Sequence, residues 1–267
     1  ALRIDPQSLE ARHGLVAADV SEKKIDSARA LVAEWRKANP DDIRLDVLAG
    51  RVEISANDLP AAEAILTQVV SADPAQLDAY ELLGRAYVGQ GKADLAAKQY
   101  EALAERSPDA ATSARTMVGM LYEARQDRDR ARAAYERVLA DDPRAGVAAN
   151  NLAWLYASDG KLDDALRLAK VAQDSLRRRP EAEDTLGWIY LQKGLTTQAI
   201  ASFERALDRA PQNPVYHYHL GLAYVKNDDP DRARAALSRA LDLNAGFNGA
   251  ADARAQLATL AESTASR

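Results

Sequence analysis

Seven alanines recur along this chain at intervals of 34 residues: Ala28, Ala62, Ala96, Ala131, Ala165, Ala199 and Ala233. One step alone, Ala96 to Ala131, is 35. Self-similarity at this period predicts a stack of helical hairpins, each burying its apolar face against the next. Such a stack offers a long surface, so a binding face is the first thing to seek and a catalytic pocket the second.

Other columns keep the same ruler. Twelve residues before each alanine stands Val16, Gly50, Gly84, Gly119, Ala153, Gly187 or Gly221, and a small residue there lets two helices approach closely. Three residues further on, the last five repeats carry Tyr87, Tyr122, Tyr156, Tyr190 and Tyr224, where the first two have Asp19 and Glu53. Large, small and aromatic residues at these offsets share one or two faces of a helix, as knobs for a neighbouring helix.

Punctuation repeats as well. Pro40, Pro74, Pro108, Pro143 and Pro211 are read as closing repeats; four of them follow Asp, Asn or Ser, and proline in that setting stops a helix and turns the chain. Shorter breaks such as Asn57-Asp58, Gln90-Gly91-Lys92 and Lys193-Gly194 divide each repeat into two helices. Pro60, Pro180 and Pro230 stand at helix entrances, where a missing N–H costs little.

Stretches such as Leu83-Gly84-Arg85-Ala86-Tyr87 and Leu220-Gly221-Leu222-Ala223-Tyr224 resemble the first helix of the tetratricopeptide repeat. Ala199 to Pro211, with Phe203, Ala206 and Leu207 between, resembles its second helix and closing proline. The resemblance covers nearly the whole chain. It implies an all-α, right-handed superhelical solenoid of about seven helix-turn-helix repeats, at 9–42, 43–76, 77–111, 112–145, 146–179, 180–213 and 214–247. A capping helix at 248–262 and a disordered polar tail at 263–267 would follow. Residues 1–8 resemble the tail of an earlier repeat, so the chain is expected to be a fragment of a longer array, and its uncapped N-terminal end a possible site of self-association.

Composition removes several functions. A net charge of −5 disfavours nonspecific nucleic-acid binding, which relies on basic surfaces releasing counterions. The one basic run, Arg177-Arg178-Arg179, falls at a helix C-terminus, where cations offset the macrodipole. No apolar run approaches the roughly 18–20 residues of a membrane span. The absence of cysteine excludes disulfides, zinc–thiolate sites and thiol catalysis.

No cofactor or metal is expected. His217 and His219 point about 200° apart on one helix and cannot share an ion; His217 is read as packing between repeats and His219 as lying near a helix interface. Acid pairs such as Asp163-Asp164 and Asp228-Asp229 fall at helix N-termini, where carboxylates are favoured. No nucleophile–base–orienter set can be assembled, so the fragment does not read as an enzyme.

The resemblance places the first helices on the concave side of the superhelix, and their inward positions are the candidate site. Early repeats put polar residues there, among them His13, Arg51 and Arg85. Later repeats place Val147, Asn150, Trp154, Asp184, Trp188, Val215, Tyr218 and Leu222, with Leu191 and Val225 one turn on. This pattern suits a protein or peptide partner anchored by Trp154 and Trp188, with Asn150 fixing its backbone. Two other readings stay open for the tryptophans: oversized core residues, or stacking platforms for a polysaccharide. A carboxylate clamp of the kind known in the family is rejected, because only Asn151 fits it and Glu181 and Thr185 stand where its basic partners belong.

The segments Asn150 to Tyr156 and Asp184 to Trp188 also resemble the C-terminal arrays of long bacterial tetratricopeptide proteins, including lipoproteins linked to exopolysaccharide export and protein sorting. That resemblance implies a scaffold at the periplasm or outer membrane. The alternatives are a carbohydrate-interacting module in exopolysaccharide assembly and an accessory region of a larger enzyme.

Overall fold

The computed structural model describes residues 9–265. Residues 1–8, read above as the tail of an earlier repeat, lie outside them, as do 266 and 267. The described residues form fifteen α-helices and no strand. Seven hairpins run in order: α1 (Leu9–Ser21) with α2 (Ile25–Ala38), α3 (Ile43–Ser55) with α4 (Leu59–Ala72), α5 (Leu77–Gly89) with α6 (Ala93–Arg106), and α7 (Pro108–Ala124) with α8 (Arg128–Asp141). After these come α9 (Gly146–Ser158) with α10 (Leu162–Ser175), α11 (Pro180–Gln192) with α12 (Thr196–Arg209), α13 (Pro214–Lys226) with α14 (Pro230–Leu243), and a lone α15 (Ala250–Ala265). The described residues fall into two compact units that divide between residues 134 and 135, inside α8.

All seven alanines of the ruler lie in second helices and are 0% exposed. The glycines twelve residues earlier face a large side chain sixteen residues on. A Cβ at Gly50 would lie 2.6 Å from Leu66, at Gly84 2.8 Å from Tyr100, at Gly187 2.7 Å from Phe203 and at Gly221 2.7 Å from Leu237. Where the column holds Val16 or Ala153 instead, the residue sixteen on is smaller, Val32 or Ala169, and also buried. Volume is thus traded across each hairpin, as close packing requires.

Four tyrosines of the column each meet a cation of their own hairpin. Lys92, Arg130, Lys161 and Arg232, near the starts of second helices, lie 5.1–5.7 Å from the ring centroids of Tyr87, Tyr122, Tyr156 and Tyr224. Tyr156 and Tyr224 also donate to Glu136 (2.7 Å) and Glu204 (3.0 Å) on the preceding second helices. In the second repeat Glu53 replaces tyrosine and pairs with Arg29 of α2 (3.0 Å), so the tie to the earlier helix survives the change of chemistry.

Every turn inside a hairpin has one residue in the left-handed region: Lys23, Asn57, Gly91, Gln126, Gly160, Gly194 and Asp228. These too follow the ruler. Between α6 and α7 the structure corrects the expected boundary. Pro108 does not close a repeat but opens α7, whose first turn is capped by Ser107 accepting from the Ala110 N–H (3.3 Å). Ser107 is also the C-cap of α6, so one residue does the work of a four-residue loop elsewhere. A helix longer by four residues after a loop shorter by three accounts for the single 35-residue step.

At the other end, α15 extends to Ala265, into the stretch expected to be an irregular tail. Nothing in Glu262-Ser263-Thr264-Ala265 breaks a helix, since neither glycine nor proline is present. No helix among the described residues is long and apolar enough to cross a membrane.

Candidate functional site

In the C-terminal unit, first helices α9, α11 and α13 and the loop before α15 bring five aromatic side chains into a row. Trp154 on α9 stacks on Trp188 of α11, with centroids 5.8 Å apart and planes at 30°. Trp188 lies 4.7 Å from the His219 ring on α13, and His219 lies 5.5 Å from Tyr218. Tyr218 in turn meets Phe247 at 5.5 Å, in the loop before α15. The row exists because positions 154 and 188 are one residue after the small column in consecutive repeats, while His219 enters from the next helix two residues before it.

Trp154, Trp188, His219 and Tyr218 line a recess of about 360 Å³ together with Glu181, Asp184, Thr185, Val215, Tyr216, Asn248 and Gly249. Both indoles are half-buried. Trp188 rests on the core formed around Phe203 and Leu220 and keeps part of its face open. With the Gln192 amide turned to satisfy both its ends, the Trp188 Nε1–H donates to its oxygen and its nitrogen donates to the Ala157 carbonyl (3.2 Å). Trp188 therefore has a packed side and a side toward the recess, which Trp154 lines beside it.

His219 and Asp184 form the buried floor. The His219 Nδ1–H donates to Asp184 Oδ1 at 2.8 Å, with both residues almost fully buried. Tyr218 donates to Asp252 of α15 at 2.9 Å. Burial, reinforced by this hydrogen bond, pushes the Tyr218 phenol above its ordinary pKa, so it stays a donor. Gly249 crosses so close to the Tyr218 ring that a Cβ would lie 2.8 Å from it. The terminal helix and its loop thus position one wall of the recess.

Of the residues expected from sequence, Trp154, Asp184, Trp188 and Tyr218 line this recess. Asn150 lies one turn before Trp154; its amide nitrogen donates to Asn151 Oδ1 (3.4 Å), and its own oxygen is buried without a hydrogen-bond partner. Leu222 is half-buried against the Phe203 core. Leu191 leaves the candidate set: it is 7% exposed and belongs to that core, because one further turn rotates it from the open face onto α12 and α13. Arg51 and Arg85 belong to the N-terminal unit, where both are exposed and Arg51 pairs with Asp78 (3.2 Å). Nearby His13 has its pKa lowered, first by burial and then by Arg51.

His219 is the residue whose role sequence reading missed. The signal available was its spacing of 35 from Asp184, one repeat plus one residue, which joins neighbouring first helices. His217 was expected between repeats; instead its Nε2 contacts the Pro211 carbonyl at 3.0 Å, at the entrance of its own helix. No group of three or more metal-ligating side chains gathers among the described residues.

The tetratricopeptide repeat family profile matches residues 47–111, 117–183 and 185–246. The cellulose synthase operon protein C of Pseudomonas fluorescens is 29% identical over 162 residues, covering 58% of this chain but 13% of that protein. Among solved structures, the Cut9 and Hcn1 assembly of the APC/C aligns over 97% of this chain and 50% of its own, with TM-score 0.70 and 16% identity. The Pseudomonas aeruginosa pilF structure aligns over 80% of this chain and 97% of its own, with TM-score 0.65 and 13% identity. A tetratricopeptide repeat protein from Parabacteroides merdae aligns over 94% and 98%, with TM-score 0.61 and 17% identity. At these identities the structural likenesses concern the fold.

Proposed function

The chain belongs to the tetratricopeptide repeat family, and we propose that it serves as a non-catalytic scaffold whose C-terminal unit binds a polypeptide across the recess of Trp154, Trp188 and Tyr218. One observation supports this reading above the others: Trp154 and Trp188 stack on each other and both line the recess, while Trp188 is held from behind by core packing. Aromatic side chains held rigid in this way lose little entropy on binding and act as anchors. Asn150, one turn before Trp154, is proposed as a further contact through an amide that turns outward on binding, since its Oδ1 is buried without a partner. Arg51 and Arg85 are proposed contacts of the N-terminal unit.

The relative named for a cellulose synthase operon supports a second reading, in which the stacked indoles meet the faces of sugar rings and the chain works at a bacterial envelope. The chain spans 13% of that relative's length, so this too is a proposal. Immobilised parent chain and a Trp154→Ala, Trp188→Ala variant of equal helicity should be offered the same bacterial envelope extract. A protein retained by the parent and lost by the variant is the expected result. Retention of a polysaccharide alone would favour the second reading, and equal retention by both chains would contradict both.

A further inference from the structure

The recess carries a sign. Glu181 and Asp184 line it, and no lysine or arginine does. Among the described residues only His219 hydrogen-bonds Asp184, through Oδ1, which leaves Oδ2 for whatever enters. The indole and phenol faces add the negative side of their quadrupoles. Tyr216 reports the same field: after burial, the charges of Asp184 and Glu181 hold its phenol above the ordinary pKa. Asp252, bonded to the Tyr218 hydroxyl, adds a third carboxylate beside the recess.

Stacked indoles and carboxylates with no lysine or arginine among the lining residues together fit a planar cation rich in donors. A guanidinium has five N–H donors in one plane, stacks on aromatic faces and sheds water more readily than an ammonium. Resting on the polypeptide reading above, we propose that the recess recognises an arginine side chain of the partner, seated against Trp154 and Trp188 and directed at Asp184 and Glu181. Flanking apolar residues of the partner would cover Val215 and the outer edge of Trp154. The recess of about 360 Å³ suits one long side chain and a short length of backbone.

The test is titration of the chain with an acetylated and amidated pentapeptide, Gly-Leu-Arg-Leu-Gly, read by the indole N–H resonances of Trp154 and Trp188. Two control peptides carry citrulline or leucine in place of arginine. The arginine peptide should bind about tenfold more tightly than either control. The advantage should shrink as salt rises and vanish in a Glu181→Gln, Asp184→Asn variant. Glu181→Gln alone, at an exposed position, should remove part of it and keeps the test sound if loss of the Asp184–His219 bond loosens α11. Equal binding of all three peptides by the parent would overturn arginine recognition and leave the polypeptide groove standing. Indole shifts caused by a chitosan hexamer and by no peptide would overturn both readings. Indoles that respond to none of these probes would also overturn the arginine site.

Discussion

At the scale of single residues, Gly187 has no room for one more carbon. The Cβ of an alanine there would lie 2.7 Å from the Phe203 ring, which is itself fully buried and cannot swing aside. Gly187→Ala should therefore destabilise the chain by about 1–3 kcal/mol despite alanine's better helix propensity. Chemical denaturation checks this, and an unchanged midpoint would contradict the packing described for α11 and α12. The small column was legible in the sequence because it repeats. Its partner sixteen residues on was not, since that position varies between leucine and an aromatic ring, as at Leu66, Tyr100, Phe203 and Leu237. Leu191 shows the limit of carrying an inward face along a helix: its position one turn past Trp188 is on the ruler, yet the side chain packs into the core.

At the scale of elements, the hairpin turns place unequal residues in equal geometry. Gln126 holds φ at 62°, the left-handed region that glycine occupies at Gly91, Gly160 and Gly194. Its side chain is exposed and forms no hydrogen bond among the described residues. Gln126→Gly should stabilise the chain by about 1 kcal/mol by relieving the backbone cost. A thermal melt would show the rise; a lower melting temperature would mean that glycine's freedom in the unfolded chain outweighs the relief. The helices themselves were readable from period and turn residues, apart from α7. There Pro108 was read by analogy with the other prolines, while Ser107 and Pro108 together form an N-cap and first residue. The local signal for a helix start was present, and the repeat pattern masked it.

At the scale of the whole molecule, the family and its hairpin stack follow from columns spread over many repeats, which is why they could be read from sequence. The recess could be read only in part. Trp154 and Trp188 announce themselves by size, whereas the Asp184–His219 floor depends on a contact between helices one repeat apart, and the Tyr218 wall on the loop before α15. The two units also differ in what they offer: exposed Arg51 and Arg85 in the first, aromatic and acidic groups in the second.

The most direct test of a polypeptide-binding recess is site-specific photo-crosslinking from Val215, which lines it, compared with Arg209, an exposed residue of α12 outside it. With the photoreactive residue at 215, irradiation in an envelope extract should yield a protease-sensitive adduct that excess Gly-Leu-Arg-Leu-Gly pentapeptide suppresses. The same residue at 209 should yield none. Adducts of equal yield from both positions, or none from 215, would contradict the account.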